Sequence, residues 1–97
     1  MNPLLNQFEI DEALKNLPGW EFTNNRLRAE FRFANFIQAF GFMASAALEA
    51  EKMNHHPDWS NSYSKVVVEL STHSAGGVTA KDTVLAQKFQ ALAGARR

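Results

Sequence analysis

At 97 residues the chain is too short to divide into two cores and reads as one domain, residues 1–97, and an apolar content of 45% with eight Phe and two Trp suffices for a core without staples. The absence of cysteine excludes disulfides, thiolate nucleophiles and cysteine zinc sites, and fits a reducing compartment. Ten Lys or Arg balance ten Asp or Glu, with no basic patch beyond the pair at 96–97; residues 1–10 do not read as an export signal, and no stretch approaches the roughly 20 apolar residues of a membrane span, so the expectation is a cytoplasmic protein without nucleic-acid or membrane partners.

Phe8, Ile10, Ala13, Leu14 and Leu17 recur at helical spacing before Pro18-Gly19, which predicts a helix over 7–17. Residues 20–23 and 27–33 alternate with period two around Asn24-Asn25, two residues that tolerate positive φ, and predict a hairpin. From 34 to 54 the pattern is helical, with Phe33, Phe36, Ile37, Phe40, Met43, Ala44, Ala47 and Leu48 as one stripe expected to face the core. Phe42 and Ala46 then fall on the other side, either as a subunit contact or against a neighbouring element of the same chain.

Pro57 ends that helix near residue 54 or 55. An extended piece at 59–62 leads to a strand over 65–72, with Val66, Val68, Leu70 and Thr72 on one side and Val67, Glu69, Ser71 and His73 on the other. Thr79-Ala80-Lys81-Asp82 has the form of an N-terminal capping box and opens a last helix to about residue 93. The order α-β-β-α-β-β-α predicts an α+β fold, a four-stranded antiparallel sheet with three helices on one face.

The three histidines, His55, His56 and His73, fall within a short stretch, and imidazole is the side chain that gives and takes protons near neutrality. Glu51 lies in the expected core stripe one turn before His55, and an imidazole at i+4 is its expected partner; the alternative is a solvated residue at the helix end. His73, at the end of its strand, is expected to look into a pocket at the sheet edge. Asp82 is accounted for by the capping box alone, and Trp59 reads either as core or as a wall for a flat heterocycle.

Glu51-Lys52-Met53-Asn54-His55-His56-Pro57-Asp58-Trp59, followed by Tyr63, Val66, Leu70-Ser71-Thr72-His73, Gly77 and Val78-Thr79-Ala80-Lys81-Asp82, resembles the signature of the pterin-4a-carbinolamine dehydratase family. Phe31-Arg32-Phe33 and Ala39-Phe40-Gly41-Phe42-Met43 extend the likeness upstream. The resemblance implies dehydration of 4a-hydroxytetrahydropterin to quinonoid dihydropterin in tetrahydrobiopterin recycling, beside an aromatic amino acid hydroxylase, with no metal or organic cofactor and in a homodimer or homotetramer. It implies His55 and His73 as acid and base, His56 as a substrate contact, Glu51 and Asp82 as supporting carboxylates, and Asn54, Pro57, Trp59, Ser71, Thr72 and Ser74 around the substrate. Animal members carry Asp where this chain has Asn54 and Glu where it has Ser74, so any charge those residues supply is absent here. Loss of His55 or His73 is expected to slow turnover without unfolding the protein.

Two rivals follow. Three His and Glu51 supply the ligand types for zinc, but adjacent extended residues point apart and the H-x-H and HExxH spacings are missing. A protein-binding module acting through the apolar central helix is the alternative function, since animal relatives also serve as dimerisation cofactors of a hepatocyte nuclear factor.

Overall fold

A computed structural model describes residues 3–96; residues 1, 2 and 97, which include one half of the terminal arginine pair, lie outside the description. The elements are α1 (Gln7–Leu14), β1 (Trp20–Thr23), β2 (Arg26–Arg32), α2 (Phe36–Met53), β3 (Asp58–Ser62), β4 (Lys65–Leu70), a single 3-10 turn (His73–Ala75) and α3 (Ala80–Gly94). The four strands form one antiparallel sheet in the order β1-β2-β4-β3. This is the α+β arrangement and element order that the hydrophobic periods predict.

The hairpin turn is made by Asn24 and Asn25, with φ of 52° and 61°, the double left-handed geometry whose twist suits a two-residue connection. Register follows from burial: Leu27, Ala29 and Phe31 stand opposite Leu70, Val68 and Val66, and all six are buried on the face that receives the helices. The opposite face carries Arg26, Arg28, Val67 and Glu69 and is half-exposed. Asn6 caps α1 with a capping box to Glu9, and the helix stops at Leu14 instead of 17 because the chain tightens into turns that bury Leu17 and bring it to Trp20.

The face of α2 is a correction. Its buried residues are Ala39, Phe42, Ala46 and Ala50, whereas Phe36, Ile37, Phe40 and Leu48 of the expected core stripe are exposed, Ile37 by 76% and Leu48 by 67%. Both faces repeat at helical period, so periodicity does not choose between them; size does. Three alanines let α3 and the sheet approach closely, and Phe42 fills the remaining space between Phe31, Phe33 and Phe89, at centroid distances of 5.0, 5.2 and 6.0 Å. Phe42 is therefore core, and the helix's outward apolar surface is the other one. A second correction concerns His73: β4 ends at Leu70, and His73 opens the 3-10 turn beyond it.

Candidate active site

Three chain turns meet at one end of the sheet. The first is the end of α2, where Asn54 adopts φ 50° and ψ 44°, its N–H bonding back to Glu51 O while the N–H of His55 reaches Ala50 O. These two bonds satisfy the last carbonyls in a Schellman arrangement, and asparagine tolerates the left-handed residue it requires. The reversal sends His55 inward and leaves His56 outward. The second is the loop after β4, closed by reciprocal bonds between Thr72 and Gly77, with Thr72 N–H to Gly77 O at 2.7 Å. The third is the start of α3, where Thr79 and Asp82 form the expected capping box.

His55 is buried, and its Nε2 lies 2.5 Å from Oδ1 of Asp82, itself fully buried. The other carboxylate oxygen accepts the Thr79 N–H and the Thr72 hydroxyl, each at 2.8 Å. Because the Thr72 proton is committed to Asp82, the Thr79 hydroxyl donates to Thr72 Oγ1 at 2.8 Å, and Thr79 Oγ1 accepts the Lys81 N–H at 3.2 Å. Among the described residues no buried side-chain nitrogen or oxygen lacks a partner. Against an acceptor carboxylate the ring proton of His55 is assigned to Nε2, which leaves the lone pair on Nδ1.

Glu51 is not the partner of His55. It lies on the exposed face of α2, its side chain 78% exposed, and its Oε1 meets Nε2 of His56 at 2.8 Å. The i+4 expectation fails because the helix has ended at Met53, and the left-handed Asn54 turns His55 away and brings His56 over the last turn. His73 is 78% exposed at its side chain, with Nε2 at 3.8 Å from Oδ2 of Asp58.

All three imidazoles line one open cleft of about 370 Å³, within the roughly 300–1,000 Å³ typical of small-molecule sites. Its walls are Asn54, His55, His56, Pro57, Asp58, Ser71, Thr72, His73, Ser74 and Lys81. Eight of these the sequence analysis places around the substrate; Glu51 and Asp82 stand behind His56 and His55. Trp59 does not line this cleft. Its ring stacks on Phe89 at 6.1 Å and 17°, half-buried against the core, and borders a separate groove with Ser60, Val67 and Glu69. Asp58 and Lys81 are the lining residues that sequence reasoning missed, although Lys81 follows the Thr79 cap by two and so belongs to the helix turn that carries Asp82. Among the described residues no three His, Asp or Glu side chains converge as a metal site requires; each imidazole faces a separate carboxylate.

Such a cleft gathers three imidazoles, groups able to move protons. Comparison with known proteins identifies the family. The family described as pterin 4 alpha carbinolamine dehydratase matches residues 3–92. A Solibacter usitatus protein named "putative pterin-4-alpha-carbinolamine dehydratase" is 52% identical over 96% of this chain and 98% of its own. A Prochlorococcus marinus protein of the same name is 49% identical over 89% of this chain and 90% of its own. Among solved structures, a transcriptional coactivator/pterin dehydratase from Brucella melitensis superposes with a TM-score of 0.90 at 48% identity, covering 93% of this chain and 98% of that one. A pterin dehydratase-like RuBisCO assembly factor of the alpha-carboxysome shares the fold, with a TM-score of 0.69 at 22% identity over 81% of this chain and 94% of that one.

Proposed function

Since the chain belongs to the pterin 4 alpha carbinolamine dehydratase family, we propose that its histidine cleft dehydrates a pterin-4a-carbinolamine to the quinonoid dihydropterin. The observation that carries this reading is the gathering of His55, His56 and His73 on one cleft from two separate turns of the chain. In the reaction the bond from C4a to the hydroxyl oxygen breaks, the oxygen takes a proton and leaves as water, and the adjacent ring nitrogen gives up its proton as the carbon–nitrogen double bond forms. One imidazolium and one imidazole meet those two demands, each contributing about 10²- to 10⁴-fold. His55 and His73 are the pair we assign to them, with His56 holding the substrate. The buried Asp82 fixes the tautomer of His55, and Glu51 orients His56 from the surface. Asn54, Pro57, Ser71, Thr72 and Ser74 form the walls, while Trp59 stacks on Phe89 against the core and takes no part in the cleft.

On this reading the protein consumes the spent cofactor of an aromatic amino acid hydroxylase, as one catalytic domain in the cytoplasm. Among the described residues no helix is long and apolar enough to cross a membrane. Stopped-flow recording of carbinolamine decay tests the activity: the purified protein is expected to accelerate it in proportion to its concentration, and an unchanged decay overturns the reading.

A second reading concerns assembly. The exposed Phe36, Ile37, Phe40 and Leu48 make an apolar strip along α2, and Phe36 and Phe40 stack at 5.7 Å. We assign this strip to a second copy of the chain, in a homodimer or homotetramer, since exposed apolar patches rimmed by polar residues mark association sites. The Brucella melitensis relative's description as a coactivator makes another protein the competing occupant. Phe40→Glu is expected to lower the sedimenting mass of the pure protein while dehydration persists; an unchanged mass in the variant favours the competing occupant.

A further inference from the structure

His55 and His56 each have a carboxylate at hydrogen-bond distance, Asp82 and Glu51. The third imidazole has one too, at longer range: Nε2 of His73 stands 3.8 Å from Oδ2 of Asp58. That separation is too long for a hydrogen bond, so what matters is how firmly Asp58 is held. The same Oδ2 accepts a hydrogen bond from Nη1 of Arg26 at 2.8 Å, and that nitrogen lies 3.5 Å from Oε1 of Glu69. Asp58 and Glu69 are register partners on β3 and β4, two like charges that would repel across the ladder. Arg26, at the start of β2, supplies the cation between them. Asp58 is thus tied to three strands, whereas His73 sits on one short turn and is largely solvent-exposed.

The turn bearing His73 is tied to the same hairpin. Nδ2 of Asn25, the neighbour of Arg26, donates to Gly76 O at 2.7 Å. Gly77 permits that approach, because a Cβ there would stand 2.9 Å from Oδ1 of Asn25. Backbone and ring of the His73 segment are therefore both referenced to the β1–β2 turn.

We propose that Asp58, fixed by Arg26, is the positioning residue of His73: its carboxylate draws the ring into one orientation toward the cleft without itself taking part in proton transfer. The kinetic side of this inference rests on His73 being a proton-transfer group; the conformational side does not. An exposed imidazole otherwise samples several rotamers, and proton transfer tolerates little misplacement.

Asp58→Asn and Asp58→Glu, each alone and combined with His73→Ala, test it. Asp58→Asn is expected to lower kcat by about three- to tenfold with KM held within about twofold, and Asp58→Glu to restore most of the loss. In the His73→Ala background Asp58→Asn is expected to change nothing further, because a residue acting only through another has no effect once that other is gone. Equal losses in both backgrounds overturn the proposal, as does an unchanged kcat in the single variant. Three-bond couplings at the His73 β-protons give a reading independent of activity, with one dominant χ1 rotamer in the wild type and averaged rotamers in Asp58→Asn. If the wild type is inactive but this rotamer change is seen, the dehydratase reading falls and the positioning stands. Equal averaging in both proteins rejects the positioning whatever the activity.

Discussion

Around His55 every polar group is tied into the fold, whereas His56 and His73, which line the same cleft, project into solvent with carboxylates that are themselves exposed. The Asp82 side chain serves two structures at once: it closes the capping box of α3 and it holds the imidazole. On the exposed side, Glu51 meets His56 at the surface, and Asp58 pairs with Arg26 on the solvent face of the sheet, away from the core. One half of the site is inseparable from folding, and the other is open to substitution at the smaller cost of solvent-exposed ion pairs.

The severest way to break the contrast is Asp82→Ala. It strands the Thr79 N–H, the Thr72 hydroxyl and His55, and costs a helix cap, together about 3 kcal/mol or more. For a domain of this size that corresponds to a fall in Tm of about 12 °C or more, measured by calorimetry, with dehydration lost as well. Next come the two histidines assigned to proton transfer. Both His55→Ala and His73→Ala are expected to lower the dehydration rate at least about tenfold. Sequence reasoning expects both to leave folding intact, but the structure separates them. His55→Ala removes a hydrogen bond from a buried carboxylate and is expected to cost about 1–3 kcal/mol, while His73→Ala stays within about 0.5 kcal/mol. Equal melting temperatures for the two variants would erase the distinction between the halves. Glu51→Gln sharpens it from the exposed side, with a rate loss of at most about fivefold and no change in melting, as suits a solvated pair.

The smallest expected effect lies away from the cleft. The carboxyl of Glu49 is held below the ordinary glutamate range, chiefly by the hydrogen bond from Lys88 of α3 and next by the charge of Lys52. A depressed carboxyl stabilises the fold above its ordinary range, and that contribution is lost as pH falls through the lowered value. In Lys88→Met the Glu49 titration, followed by carbon-13 NMR, is expected to move upward, and the acid-side loss of stability linked to it to shrink.

Most of the architecture was legible because it rests on local rules. Alternation placed Val66, Val68 and Leu70 on the buried face, Asn24-Asn25 marked the hairpin, and Thr79 with Asp82 marked the start of α3. The side of α2 that meets the core was not legible, since two apolar faces of equal period differ only in how closely alanines let neighbours approach. From that error followed the pairing of Glu51 with the wrong histidine. The true pairs, His55 with Asp82 and His56 with Glu51, depend on a left-handed residue at position 54 and on contacts across 27 positions, neither of which spacing encodes. Asp58 is illegible for a similar reason, because its partner is Arg26, 32 residues earlier.

The double duty of Asp82 bears on how relatives of this chain are to be read. A descendant that abandoned catalysis for a scaffolding role would still need that carboxylate to begin its last helix, and the imidazole beside it would linger as a space-filling companion. Finding both in a genome therefore certifies a sound scaffold and says little about turnover; on the proposed assignment, the solvent-facing residues at 58 and 73 are the ones whose loss would date the change of occupation.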